Sequence, residues 1–258
     1  MLRWRAPWLL VLVPGVLFAC APGPLRAQTE VDLALVLAVD ASRSMDADER
    51  ELQRQGYVDA FRSPMVHCAV QRGALGQIAV TYIDWSEVYD QRIVVPWTLI
   101  TKADEAMGFA ERLAGISMER VLGSTSISGA IDFSRRLLAS SPFVATRKVI
   151  DISGDGANNR GRPVTHARDA AVSEGITING LALMLKRPDG PLEIEKVDEY
   201  YRDCVIGGLG AFMIAVRERG AFAEAIKSKI IREVTSPFSA ATIQKASAEP
   251  RVNCPENL

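Results

Sequence analysis

Apolar residues follow two rhythms along this chain. Continuous aliphatic and β-branched runs recur at 31–40, 77–85, 91–97, 147–153, 176–184 and 211–217. Runs such as LALVLAV and RKVIDIS read as strands buried on both faces, the mark of a largely parallel sheet. Between them, apolar positions return at helical spacing over 47–62, 102–115, 126–140, 163–174, 195–203 and 220–234. In 126–140 the stripe is Ile127, Ala130, Ile131, Phe133, Leu137 and Leu138, and Pro142 stops that helix soon after. Asp46, with Glu49 three residues on, reads as a capping box at the start of the first helix. The runs 77–85 and 91–97 are joined by a short polar turn, Glu87 to Asp90, which predicts a hairpin. Its second arm would be an antiparallel edge strand ending near Pro96. Strands alternating with helices predict an open α/β sheet with right-handed crossovers and helices on both faces. No internal repeat and no low-complexity run interrupts the alternation.

The first 27 residues break the pattern. Arg3 and Arg5 precede an apolar stretch from Ala6 to Ala19, and Leu25-Arg26-Ala27 offers a small residue for cleavage. This reads as a signal peptide, because the stretch is short for a spanning helix and holds Pro14 and Gly15. Leu17-Phe18-Ala19-Cys20 also resembles a bacterial lipobox, with Phe18 bulkier than that pattern usually has; membrane attachment would then be by lipid at Cys20. The expected organisation is a signal peptide at 1–27, one domain at 28–235, and a proline-containing tail at 236–258 that packs on the domain or hangs loose. The mature chain would be periplasmic or secreted, free or tethered by lipid.

Net charge is −1 for the whole chain. Without the first 27 residues the balance is 27 basic to 31 acidic side chains. A mildly acidic domain gives no electrostatic ground for nucleic-acid binding. Export would permit disulfides. Cys68, Cys204 and Cys254 allow one intramolecular bond and leave one thiol over. The favoured pair is Cys204–Cys254, which would pin the tail; Cys68, between the first helix and the next strand, reads as a small buried hydrophobe. The spacings fit no zinc pattern.

The chemistry gathers where strands end. The first strand runs into Asp40-Ala41-Ser42-Arg43-Ser44, the fourth into Gly154-Asp155-Gly156, and Gly123-Ser124-Thr125 opens a helix between them. Open α/β sheets bind ligands at the carboxyl ends of strands, where strand order reverses. Two carboxylates and three hydroxyls converging there would suit a hard divalent cation. The competing explanation is helix capping by Ser42, Ser44 and Thr125.

Asp40-x-Ser42-x-Ser44, then Thr125, then Asp155 in Ser-Gly-Asp-Gly resembles the metal-ion-dependent adhesion site (MIDAS) of von Willebrand factor type A (VWA) domains. The resemblance covers nearly all of the mature chain. It implies a Rossmann-like fold with strand order 3-2-1-4-5-6. It implies Mg²⁺ or Mn²⁺ held by Ser42, Ser44 and Thr125, with Asp40 and Asp155 as direct or water-mediated ligands. It also implies a protein partner whose Asp or Glu carboxylate completes the coordination. Arg43, Asn158, Asn159 and Arg160 would line the rim. The segments VTYIDWS, VVPWTLI, SGDGANN and EYYRDCVIGG further resemble a group of uncharacterised bacterial VWA-like proteins, a likeness that implies no biochemical role.

An enzyme is the alternative. Gly154-Asp155-Gly156-Ala157-Asn158-Asn159 resembles the magnesium loop of haloacid-dehalogenase-type phosphatases. Such enzymes place a second aspartate two residues after the nucleophilic one, and here Ser42 stands there, a hydroxyl that cannot shuttle a proton as a tuned carboxylate does. The first turn lacks a G-x-G-x-x-G, and no G-x-S-x-G elbow serves His67 or His166. Both histidines are expected at the surface, Trp85 and Trp97 over the core, and Arg217-Glu218-Arg219 in solvent.

Overall fold

The strand Thr29–Asp40 (β1) is the axis of the fold. In this computed structural model the described residues are 28–116, 123–186, 194–235 and Cys254. The expected signal peptide, with Cys20, lies outside them, as does the expected tail apart from Cys254. After β1 come Ala47–Arg62 (α1), Pro64–Gln71 (α2), Ile78–Trp85 (β2), Gln91–Ile100 (β3) and Ala103–Ala114 (α3). Then follow Ile127–Ala139 (α4), Phe143–Gly154 (β4), Val164–Ser173 (α5) and Ile176–Leu183 (β5). Val197–Tyr200 (α6) runs into a π-helical turn, Tyr201–Val205, and Met213–Val216 (β6) and Phe222–Thr235 (α7) complete the set.

The sheet order is β3-β2-β1-β4-β5-β6. Every pairing is parallel except β2 with β3. This is the architecture that the alternation and the resemblance imply. Successive side chains of β1 point to opposite faces. Leu33, Leu35, Leu37 and Val39 pack with residues of α1, α3 and α7. Ala34, Val36 and Ala38 pack with residues of α4, α5 and the α6–π segment. Each fully buried leucine is worth about 1.5–3 kcal/mol in transfer terms. Helix α1 lies close on α7: a Cβ added at Gly56 would stand 2.6 Å from the Ile226 Cδ1.

Three local features differ from expectation. A second helix, α2, follows α1 at once, because Ser63 caps it through a bond to Met65 N and Pro64 takes the first turn. It buries Val66, Ala69 and Val70 and turns Cys68 outward, so Cys68 is exposed rather than a core hydrophobe. His67 lies in α2, its Nε2 2.6 Å from the Phe61 carbonyl. Strand β3 continues through Pro96, where the register against β2 shifts between Val80 and Tyr82. An irregularity on an edge strand absorbs the missing N–H. The expected helix at 195–203 breaks into one α turn and the π turn. The structure joins Cys204, within that turn, to Cys254. Among the described residues no helix is long and apolar enough to cross a membrane.

Candidate metal centre

β1 and β4 are neighbours in register, with Val39 beside Ser153, so Asp40 and the Gly154–Asp155 corner emerge together. Chains leave β1 toward β2 on one side and enter from β4 on the other, which makes this crest the point of strand-order reversal. Beyond it three segments meet. Ser44 Oγ donates to Asp155 Oδ1 at 2.6 Å. Ser42 Oγ lies 3.1 Å from Ser44 Oγ, and Thr125 Oγ1 donates to Ser42 Oγ at 3.3 Å. Ser42 N–H donates to Asp40 Oδ1 at 2.7 Å, while Asp40 Oδ2 is buried without a partner among the described residues.

Capping does not occupy these hydroxyls. Asp46 caps α1: its Oδ1 accepts from Glu49 N at 2.8 Å, and Glu49 Oε2 accepts from Asp46 N at 3.1 Å. Ser126, not Thr125, caps α4, with its Oγ accepting from Gly129 N at 3.2 Å. Thr125 is instead held by its backbone: its N–H donates to Asn159 Oδ1 and its carbonyl accepts from Asn159 N, both at 2.9 Å.

The electrostatics are those of two acids forced together. Burial holds the Asp40 carboxyl well above its usual range, the Asp155 charge pushes it the same way, and the bonds from Ser42 pull it back. Burial pushes Asp155 up to about 6 against the bond from Ser44. Among the described residues neither acid forms an ion pair with Lys, Arg or His. Lys186, whose charge acts on Asp155, makes its contacts with others: it donates to the Ser44 carbonyl at 2.9 Å and pairs with Asp46 at 3.2 Å and with Glu49. Nor do three His, Cys, Asp or Glu side chains gather to hold a metal among the described residues. The donor set is carboxylate and hydroxyl oxygen, the set hard divalent cations prefer. A cation would relieve the repulsion between Asp40 and Asp155, and so the residues present fit one.

The expected rim divides. Arg43 and Arg160 are exposed and Asn159 is half-buried in its bond to Thr125. Asn158 is a correction. It is buried, its Oδ1 accepting from Ser128 N at 2.9 Å and its Nδ2 donating to the Arg162 carbonyl at 3.3 Å. It holds the loop to α4 and faces no partner. The sequence reading missed Tyr89, 97% exposed at the tip of the β2–β3 turn. That turn walls the site, since Ser86 accepts from Ser126 N at 2.7 Å through its carbonyl, and Glu87 accepts from Ser124 N at 3.2 Å. It also missed Lys186 and the support of the Asp155 loop by Tyr200, whose hydroxyl accepts from Asn158 N at 3.2 Å. No local pattern signals these, because each depends on elements distant in the chain. Trp85 is buried and Trp97 half-buried, while His166 and the run 217–219 are exposed.

Strand order and mixed pairing are those of the Rossmann-like VWA fold. Solved structures of similar fold include the pilus adhesin SpaC from Lactobacillus rhamnosus GG in an open conformation (TM-score 0.54, 15% identity, 80% of this chain and 30% of that one). Another is a von Willebrand factor type A protein from Catenulispora acidiphila (TM-score 0.53, 14% identity, 80% and 43%). A third is proximal thread matrix protein 1 from the mussel byssus, with a zinc-occupied MIDAS motif (TM-score 0.54, 14% identity, 81% and 49%). The chain thus spans less than half the length of each of these three. No curated protein matches it. The chain belongs to the family described as "Protein of unknown function (DUF1194)", which it matches over residues 30–238.

Proposed function

We propose that this protein is a divalent-cation-dependent binding module for a protein partner, and not an enzyme. The observation that carries this reading is buried Asp40 beside half-buried Asp155, neither in an ion pair with a cation of the chain among the described residues, with the hydroxyls of Ser42, Ser44 and Thr125, from two segments, linked in a chain that ends on Asp155. Asp40, Ser42, Ser44, Thr125 and Asp155 are the proposed ligand set, directly or through water. Mg²⁺ or Mn²⁺ is the proposed ion, and the mussel protein's zinc makes Zn²⁺ a necessary comparison. When bound, the ion supplies a Lewis-acidic centre for an incoming carboxylate.

The chain's own residues do the rest. Neutral hydroxyls add no charge, so only two aspartates offset a dication and the crest remains attractive to an acid. Exposed Arg43 and Arg160 add positive charge at the rim, and Tyr89 offers an aromatic contact of the kind that dominates interfaces. The name of the adhesin neighbour accords with such a role. The phosphohydrolase alternative draws no support: Ser42 stands where the acid/base aspartate would be, and it is bonded into the hydroxyl chain. Export, with or without lipid at Cys20, is proposed on the first 27 residues alone.

The test is capture from the cell envelope by the full mature chain in Mg²⁺ against chelator, with wild type and Asp155→Ala. The expected result is a partner retained only by wild type and only with metal, and lost to competing free carboxylate. Capture that is equal in chelator, or equal with Asp155→Ala, overturns the reading.

A further inference from the structure

Tyr201 is fully buried, and its hydroxyl has no hydrogen-bond partner among the described residues. Buried polar atoms in native proteins are rarely left so, and an orphan at a site asks for a water, an ion or a role. Asp40 Oδ2 is another such atom at this crest. Both face one spot. The point where a Gly154 side chain would begin is 2.7 Å from Asp40 Oδ2 and 2.8 Å from Tyr201 Oη. The tyrosine reaches there by crossing the sheet face over a second glycine: a Cβ at Gly180 would lie 2.9 Å from the Tyr201 ring. Two glycines, one under the ring and one under the hydroxyl, clear its path.

The segment that aims this ring is unusual. Tyr201 opens the π turn, closed by Ile206 N–H donating to the Tyr201 carbonyl at 2.9 Å. Such turns insert one residue per turn and re-aim side chains, often at functional sites. The same turn carries Cys204 and hence the bond to Cys254. Its neighbour Tyr200 holds the Asp155 loop through Asn158. Tyr200 thus holds one acidic loop by a hydrogen bond, and the hydroxyl of adjacent Tyr201 faces the aspartate of the other.

We propose that Tyr201 is a positioning residue of the metal centre. Its hydroxyl donates toward Asp40 Oδ2 through one bridging water beside Gly154. This fixes the carboxylate's rotation, with lone pairs left for the cation. The inference rests on the metal-centre reading and adds a residue outside the ligand set.

The experiment compares wild type, Tyr201→Phe and Tyr82→Phe by calorimetric titration with Mg²⁺ and Mn²⁺, by melting in chelator, and by tyrosine difference absorbance on metal saturation. Tyr82 is an apt control, because its hydroxyl is equally buried and unpartnered among the described residues but belongs to the other core layer. The expected result is a loss of metal affinity of about tenfold or more in Tyr201→Phe, the usual scale for an outer partner of a ligand. Its melting in chelator should match wild type, its metal-induced tyrosine band should vanish, and Tyr82→Phe should retain both affinity and band. Wild-type affinity in Tyr201→Phe overturns the inference alone. Absence of metal binding in wild type itself overturns the metal-centre reading and the inference with it.

Discussion

The molecule draws two pairs of carboxylates out of water, one wholly and one in part, and treats them in opposite ways. Asp151 on β4 and Glu233 on α7 sit in the interior, and the chain supplies their cation: Lys229 Nζ pairs with Asp151 and, at 2.6 Å, with Glu233. Glu233 also accepts from Asn179 Nδ2 at 3.1 Å. Burial opposes the lysine's charge, yet the two acids outweigh it and raise its pKa. Asp40 and Asp155, at the crest of the same sheet, meet hydroxyls in place of a lysine. A buried acid pair with its own cation is a structural tie. An acid pair without one, at the surface end of the sheet, has the charge and the oxygen donors that the proposed cation would answer. The contrast lies in what each meets: Asp151, within β4, meets α7, and Asp155, just past its end, meets loops.

The comparison breaks most visibly at Lys229. Lys229→Met leaves two buried acids without a cation and should cost about 3–5 kcal/mol. For a domain of this size that is a fall in melting temperature of roughly 6–20 °C, and saturating Mg²⁺ should not restore it. A melt within 1 °C of wild type would show that the triad is no tie.

A smaller effect follows from pH. Burial and the Asp151 charge push Glu233 up to about 7, against Lys229, from an ordinary 4.5. A carboxyl whose folded value is raised binds its proton more tightly when folded. Its contribution therefore declines as pH climbs from about 4.5 to about 7 and is flat beyond. The decline should be at most about 3 kcal/mol. Denaturant titrations across that window should show Glu233→Gln with a shallower slope than wild type, and identical slopes would remove Glu233 as the cause. The smallest effect belongs to the rim. Arg43→Ala should weaken partner capture a few-fold while leaving melting and metal affinity within about 0.5 kcal/mol, the ordinary range for an exposed change. An Arg43→Ala protein that captures partner as well as wild type would place the contact elsewhere.

What could be read in the sequence was local. Strand β1 announces itself by an unbroken apolar run, the Asp46–Glu49 box by its spacing, and the crest by hydroxyls two residues apart at a strand end. The helix α2 was legible too, in Ser63-Pro64, a cap followed by a first-turn proline, but Pro64 reads equally as a stop to α1. Asn158 reads as rim from its place between Asp155 and Arg160, whereas its amide is spent on Ser128 and Arg162. Lys229 sits in a helix that its sequence alone would leave with a lysine in solvent, and only the packing of α7 under β4 buries it. Tyr201 lies in an expected helix, and nothing local foretells the π turn that aims it at Asp40. Spacing along one element was visible; juxtaposition across elements was not.

The most direct measurement is the melting temperature of wild type and Asp40→Ala, each in chelator and in Mg²⁺ or Mn²⁺ at a hundredfold excess over the dissociation constant. Wild type should gain about 2.7 kcal/mol from the metal, and Asp40→Ala should gain nothing while melting no lower than wild type in chelator, since one of two opposed buried charges is gone. Equal metal stabilisation of the two proteins, or none in wild type, would contradict the account.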